Sequence, residues 1–314
     1  MSDDERLEIA FASELYPAAL RDLPDPPRRL YVRGDPAAMS APCLAIIGSR
    51  RPTPYGTAVA QMAARVAAES GVTVVSGGAL GCDMAAGTSA LDAGGRHVAV
   101  LGSGADVAYP RRAAPMLRRI LETGGAIVSL APWGTQPMRW AFPKRNRVIA
   151  GLSAAVMVTE AGMPSGTFST AEAAMEIGRE VLAVPGSILS PLSRGANALI
   201  SDGATCIVDA EALETAISRI FGLLRFCRPG PTGIRGLSEE GRRVVAALTA
   251  SPLRVEGIAS MLGMGVHDAM MLVSELTVAG AVEQLLDGSF SVTAAALHAQ
   301  GPFGHNGGPD RRAG

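Results

Sequence analysis

The sequence predicts an α/β protein with a doubly wound, mainly parallel sheet and a smaller second domain. Two observations lead to this fold class. Short apolar, β-branched segments alternate with helical patterns through the middle of the chain, which is typical of a parallel sheet covered on both faces. Most of these segments end in glycine and serine, as expected where the carboxyl ends of strands lead into ligand-binding loops. The middle of the chain is therefore expected to be an extended Rossmann-like domain.

Residues 1–42 predict a short N-terminal extension with a reduced helical region. Prolines interrupt "LPDPP" and leave room for one or two small helices and a strand at "RLYVRG". The first ten residues are acidic and polar, which excludes a signal peptide at this position.

Residues 43–224 predict the Rossmann-like domain itself. Its strands are predicted at "CLAIIGS", "VTVVSG", "HVAVLGSG", "AIVSL", "AAVMVTE", "EVLAVPG" and "TCIVD". Its helices are predicted at "YGTAVAQMAARVAAES", "CDMAAGTSALDAG", "RRAAPMLRRILETG" and "TFSTAEAAMEIG". Because parallel strands share one carboxyl edge, the small residues that follow them are expected to meet there.

The C-terminal part predicts a separate small domain. Two prolines and three glycines mark a linker at 225–236. Residues 237–298 then show three short helical patterns and a hairpin that turns at Asp287-Gly288, which predicts a winged-helix-like domain. Residues 299–314 are rich in glycine and are predicted to be a disordered tail.

Composition excludes several functional classes. The chain of 314 residues is 48% hydrophobic and 18% charged, as in ordinary globular proteins. It has no run of 18 apolar residues, so we expect no membrane span. Four widely spaced cysteines without a CxxC pair argue against a zinc site or a disulfide framework and favour the cytoplasm. The motif G-x-x-x-x-G-K-[ST] is absent, so we expect no P-loop. We also expect no cofactor and no metal.

Charge is unevenly distributed along the chain. Residues 43–230 carry a net charge of +4, whereas residues 237–298 carry −4. An anionic partner is therefore expected to meet the middle of the chain.

The strongest basic signal lies at the segment "RWAFPKRNRVIAGLS". It contains Arg139, Lys144, Arg145 and Arg147 and no acid, and Lys144 is the chain's single lysine. Cations at a helix start oppose the helix macrodipole, so this pattern favours an anion-binding role.

Other residues near the predicted sheet edge have two interpretations. Trp140 and Phe142 are expected either to stack on bases or to pack the loop, and Asn146 is interpreted as a loop anchor. Arg50 follows a central strand and is expected to project over the edge. The acids there are interpreted mainly as helix caps or loop contacts: Asp83, Asp106, Glu160 and Glu172.

Ordered motifs over about residues 15–230 resemble a known family. They include "LYVRGD", "IIGSRRPTPYG", "VVSGGALGCDMAA", "AVLGSGADVAYP", "FPKRNRVIAGLS", "VTEAGMPSGTFSTAEAA", "GREVLAVPG" and "GANALISDGA". These motifs are similar to those of the DNA-processing protein A family (DprA, also called Smf). The resemblance implies a non-enzymatic protein, without catalytic residues, that binds and protects single-stranded DNA in natural transformation. It also implies loading of a RecA-type recombinase and a homodimer.

The resemblance also implies a site for the DNA backbone. Its residues come from four motifs: Arg50, Ser76, Gly77, Gly78, Lys144, Arg145, Arg147, Ser165, Gly166 and Thr167. Cations together with backbone amides bind phosphates without reading sequence. The chain departs from the family pattern at Leu80, Cys82, Gly87 and Leu130, which includes the loss of one arginine and one histidine.

Two other functions remain as alternatives. "PSGTFSTAEA" also resembles the loop of lysine-decarboxylase-like nucleoside monophosphate phosphoribohydrolases, in which Glu172 would be the acid. A winged-helix transcription regulator is disfavoured, because the predicted recognition helix contains Asp268 and Glu275 and no lysine or arginine.

Overall fold

A computed structural model describes residues 6–163, 165–223, 237–285 and 287–293. The described residues form two compact units, one before residue 224 and one from residue 237 onward. The predicted linker at 225–236 and the predicted tail at 299–314 lie outside the described residues.

The first unit is built on one sheet with the strand order β1-β2-β6-β5-β4-β3-β7-β8-β9. The strands are β1 (Arg6–Ala10), β2 (Arg29–Gly34), β3 (Cys43–Ile47), β4 (Thr73–Ser76), β5 (His97–Leu101), β6 (Ala126–Ser129), β7 (Ala155–Val158), β8 (Glu180–Ala183) and β9 (Thr205–Cys206). Strands β3 to β9 are mutually parallel, whereas β1 pairs antiparallel with β2, and β2 antiparallel with β6. The predicted mainly parallel α/β fold is therefore confirmed.

Helices cover both faces of this sheet. They are α1 (Pro54–Glu69), α2 (Cys82–Asp92), α3 (Ala114–Glu122), α4 (Ala141–Leu152), α5 (Gly166–Glu176), α6 (Arg194–Ser201) and α7 (Ala210–Phe221). One face packs against α1, α2, α3 and α7, and the other against α4, α5 and α6. The strands are apolar on both faces for this reason: in β3, Leu44 and Ile46 enter one core while Ala45 and Ile47 enter the other.

The direction of strand addition reverses next to β3. The chain adds β4, β5 and β6 on one side of β3 and then returns to place β7 on its other side. Ile47 and Val158 pair at the carboxyl ends of these two strands. A crevice at such a reversal is the usual ligand site of doubly wound sheets.

The N-terminal residues extend the sheet edge. The strand predicted at "RLYVRG" is β2, and short 3₁₀ turns lie at Ala18–Asp22 and Pro36–Met39. Strand β1 was not predicted. It is a five-residue edge strand in which only Ile9 is buried, so its apolar alternation is too short to stand out.

The second unit contains three helices and a hairpin. These are α8 (Glu239–Ala250), α9 (Val255–Leu262), α10 (Val266–Val278), β10 (Val282–Gln284) and β11 (Phe290–Val292). Ser238 caps α8 by accepting a hydrogen bond from the Gly241 amide at 3.0 Å. Within the described ranges, no single helix has the length and apolar composition of a membrane span, although α9 and α10 meet that criterion together as a pair bent by 108°.

Candidate nucleic-acid interface

A cleft of about 690 Å³ opens where β3 and β7 end. The loops after β3, β4 and β7 line it together with the first turns of α4. Three cations lie on its lining, namely Arg50, Arg139 and Arg145. Among the described lining residues the one acid is Asp83, so the cleft has an excess of positive charge.

Glu160, at the end of β7, holds the loop that carries Arg50. The buried Glu160 carboxylate accepts hydrogen bonds from the Thr53 amide at 2.8 Å and the Thr53 hydroxyl at 2.6 Å. Its backbone carbonyl accepts the Ser49 amide at 2.7 Å. Thr53 in turn caps α1 at the Gly56 amide. Arg50 is thereby exposed on a loop that is fixed at both ends.

Arg145 is the buried cation of the site, with 5% of its surface exposed. Its Nη1 donates to the carbonyl oxygens of Gly77 at 2.5 Å and Val100 at 2.7 Å. Burial lowers the pKa of Arg145 to about 10; Asp83 opposes this shift and Arg50 adds to it. Arg145 therefore remains charged at neutral pH and ties α4 to the loop after β4 and to strand β5.

Asp83, in the first turn of α2, occupies the amides of the glycine loops. Its carboxylate accepts the Gly77 amide at 2.9 Å, and the nearby amides of Gly48 and Ala79 also favour its charged form. Burial raises the pKa of this carboxyl group, while Arg145 and the amides act in the opposite direction. The interpretation of Asp83 as a cap or loop contact therefore agrees with the structure.

The "SGG" residues lie beneath the cleft instead of on its lining, which differs from their predicted role. Ser76 is buried, and its hydroxyl lies 3.3 Å from His97 Nε2. The Gly77 amide is bonded to Asp83, and the Gly78 amide to the Ser76 hydroxyl. The physical reason is that acceptors within the protein, the Asp83 carboxylate for Gly77 and the Ser76 hydroxyl for Gly78, already satisfy the amides that the sequence offered to a phosphate.

The predicted cations of α4 lie on different faces of the helix, since Arg145 is buried while Lys144 and Arg147 are exposed. Arg145 shares the buried face with Val148 and Ile149, at the spacing of helical neighbours. Lys144 and Arg147 are exposed and do not line the cleft. The Lys144 ammonium instead lies 5.7 Å from the centre of the exposed Trp140 ring.

The loop after β7 forms the opposite wall of the cleft. Its predicted residues Ser165, Gly166 and Thr167 all line the cleft, and Ser165 caps α5 by accepting the Thr167 amide at 3.2 Å. The start of α5 therefore presents positive partial charge to the cleft. Asn146 donates to the Gly166 carbonyl at 3.3 Å and the Ser169 hydroxyl at 2.7 Å, the loop-anchor contacts that the sequence predicted.

Tyr109 and Arg139 are among the lining residues that the predicted site did not include. Tyr109, after β5, lies with its ring 6.3 Å from that of Phe142, and Arg139 precedes α4. The sequence contained a signal for both, since Tyr109 ends a strand-and-loop motif and Arg139 belongs to the basic segment.

Comparison with known proteins decides the family. Residues 8–218 match the model of a family described as DNA recombination-mediator protein A. The chain belongs to this family. The predicted resemblance is therefore confirmed.

Two relatives each match about two thirds of this chain. Protein Smf of Escherichia coli (strain K12) is 42% identical over 201 residues, covering 64% of this chain and 54% of that protein. The match thus spans about half the length of that relative. DNA processing protein DprA of Streptococcus pneumoniae is 39% identical over 203 residues, covering 65% of this chain and 71% of the relative.

Two solved structures share the fold. DNA processing protein A from Streptococcus pneumoniae has a TM-score of 0.63 at 36% identity, covering 67% of this chain and 74% of that chain. DNA processing protein A from Helicobacter pylori, whose structure concerns a single-stranded DNA binding mode, has a TM-score of 0.63 at 30% identity, covering 69% and 97% respectively.

The departures from the family pattern are mostly packing positions. Gly87 leaves room for the buried His97 ring, because a Cβ there would lie 2.9 Å from His97 Nε2. Cys82 is buried against Gly48, and Leu130 packs against the main core. Leu80 is exposed near the end of β4.

The phosphoribohydrolase alternative would need an available acid in the cleft, and the described lining residues do not supply one. Glu172 is exposed on α5 and does not line the cleft. Asp83 is buried and accepts a hydrogen bond from the Gly77 amide. Within the described ranges, no group of three or more histidine, cysteine or acidic residues is placed to hold a metal ion.

Proposed function

We propose that this family member binds single-stranded DNA in the cleft at the ends of β3 and β7. One observation carries the proposal: the cleft collects Arg50, Arg139 and Arg145, while its acid, Asp83, is already bonded to amides and faces Arg145. A polyanion is the partner that such a surface favours.

The geometry favours backbone binding without sequence readout. Arg50 and Arg139 are exposed on the lining and meet phosphates directly. Lys144, with Arg147 beside it, extends the positive surface outside the cleft, and the start of α5 adds amide groups. The exposed Trp140 offers a ring on which a base can stack.

The proposal also includes what the protein does with the bound strand. The Helicobacter pylori relative is described with a single-stranded DNA binding mode, and its fold matches this chain. We infer a DNA-processing role in transformation or recombination in which the chain protects incoming single strands. We further infer that it works as a cytoplasmic, non-enzymatic homodimer and helps to load a RecA-type recombinase.

Filter binding with oligo-dT and a duplex of equal length tests the proposal. We expect tighter binding of the single strand, and a loss of about tenfold for Arg50→Ala or Arg139→Ala, since contacts to a charged group contribute about 1.5–3 kcal/mol. Arg96→Ala is the matched control, because Arg96 is exposed just before β5, at the opposite edge of the sheet. Equal binding of both DNA forms, or an equal loss with the control, contradicts the proposal.

We propose that residues 237–298 form a winged-helix-like domain that contacts protein instead of duplex DNA. Helix α10 carries Asp268 and Glu275 and no lysine or arginine. It also exposes Met271 and Val278. Duplex binding that weakens when Arg242 and Arg243 of α8 are replaced by alanine would contradict this assignment.

A further inference from the structure

Phe142 is held in place by the residues around it. It lies half-buried in the first turn of α4 and lines the cleft. Its ring packs against the loop after β5 so closely that a Cβ at Gly102 would lie 2.9 Å from it. The Tyr109 ring lies 6.3 Å away. The ring is therefore fixed by the protein before any ligand enters.

Two guanidinium groups lie close to the same ring. The Cζ atoms of Arg50 and Arg145 are 5.6 Å and 5.7 Å from the centre of the Phe142 ring. Both distances fall within the range of cation–π contacts. One cation comes from the loop after β3 and the other from α4, so the ring joins two separate elements.

Without an anion, these two cations repel each other. The proximity of Arg50 acts to lower the pKa of Arg145, which shows that the two charges interact. The electron-rich face of an aromatic ring offsets such repulsion. Phe142 thus supplies part of the compensation that a phosphate would supply in the complex.

We propose that Phe142 is a positioning residue whose ring holds the guanidinium groups of Arg50 and Arg145 ready for a phosphate, and that it does not stack on a base. The inference rests on the proposed binding of single-stranded DNA. Trp140 differs from Phe142, because 62% of it is exposed and the exposed Lys144 side chain lies over its ring. We therefore assign base stacking to Trp140.

Two ligands of equal length separate these roles: oligo-dT, and an abasic deoxyribose-phosphate oligomer that lacks bases. Phe142→Leu is expected to weaken binding of both about tenfold, because it changes how phosphates are held. Trp140→Leu is expected to weaken oligo-dT about tenfold and to leave the abasic oligomer unchanged, in keeping with the loss of one stacked base. Phe142→Tyr keeps the ring and is expected to bind both ligands like the wild type.

Each outcome decides the proposal. A loss confined to oligo-dT for Phe142→Leu would assign stacking to Phe142, and no loss with either ligand would remove its positioning role. Thermal unfolding of each variant checks that the fold is retained.

A measurement on the wild type keeps the proposal testable if Phe142→Leu fails to fold. The ring current is expected to displace the side-chain Nε–H resonances of Arg50 and Arg145, assigned with Arg50→Lys and Arg145→Lys. Undisplaced resonances overturn the contact. If the wild type binds neither oligomer, the proposed function fails, whereas this measurement still reports on the ring.

Discussion

Arg145 and Asp83 are buried groups of opposite charge in the lining of the cleft. Arg145 bonds to backbone carbonyls and Asp83 to backbone amides, so each residue satisfies loop groups of the opposite kind. Asp83 acts to raise the pKa of the buried Arg145, so the two charges partly compensate each other. The pair therefore shapes the site even where it does not touch the ligand.

His97 gives the first unit a pH-dependent stability. Burial lowers the pKa of this ring to about 4, whereas an unfolded histidine titrates near 6.5. The stability from a neutral His97 is complete above about pH 6.5 and is lost as the pH falls toward 4, because the unfolded chain then binds the proton first. The expected loss is about 3 kcal/mol, at about 1.4 kcal/mol per pKa unit.

Urea unfolding at pH 7 and pH 4.5 measures this effect. Both tryptophans, Trp133 and Trp140, lie in the first unit, so their fluorescence reports on that unit alone. His97→Gln is expected to show a smaller loss between the two pH values than the wild type. His267→Gln is the control, because His267 is exposed in the second unit. Equal losses in all three proteins would disprove the role of His97.

At the scale of elements, the loop between β3 and α1 is held by Glu160, which follows β7, a strand that is distant in sequence but adjacent to β3 in the sheet. Glu160 bonds to Thr53, and Thr53 caps α1. The sequence interpretation of Glu160 as a loop contact agrees with these bonds. This clamp crosses the point at which strand order reverses, and it places Arg50 on the cleft.

Thr53→Val tests the clamp. The change removes the cap of α1 and one hydrogen bond to the buried Glu160 carboxylate, with an expected cost of about 2 kcal/mol. Because Arg50 lies in the same loop, we also expect weaker oligo-dT binding. Urea unfolding and filter binding measure the two effects.

Asp209→Ala is the control for a cap lost elsewhere. Asp209 caps α7 by accepting the Ala212 amide at 2.7 Å, away from the cleft lining. A cost of about 1 kcal/mol is expected, with unchanged DNA affinity. If Thr53→Val also leaves affinity unchanged, the loop does not depend on the clamp.

The sequence predicted elements better than it predicted the site. Strand and helix periods located β3 to β9, because each apolar segment is short and bounded by small residues. The burial of Arg145 could have been predicted in the same way, because Arg145 is in helical phase with the apolar residues Val148, Ile149 and Leu152. The contacts of Asp83 with the Gly77 amide and with Arg145 were not predictable, since they join segments that only the folded sheet brings together.

At the scale of the whole molecule, charge divides between the parts of the chain. The net charge of +4 in residues 43–230 includes the cleft, and the net charge of −4 in residues 237–298 includes α10. This division could be predicted from the sequence, because the net charge of a segment does not depend on how the segment folds. It favours the proposed binding of nucleic acid by the first unit and disfavours duplex binding by the second unit.

The salt dependence of binding tests that division. For a single strand, the slope of log K against log salt changes by about 0.7 for each phosphate contact. Arg50→Ala is therefore expected to make the slope for oligo-dT shallower by about 0.7. Arg242→Ala removes the same charge from exposed α8 and is expected to leave the slope unchanged. A shallower slope for Arg242→Ala would place phosphate contacts on the second unit and contradict the assignment of binding to the cleft.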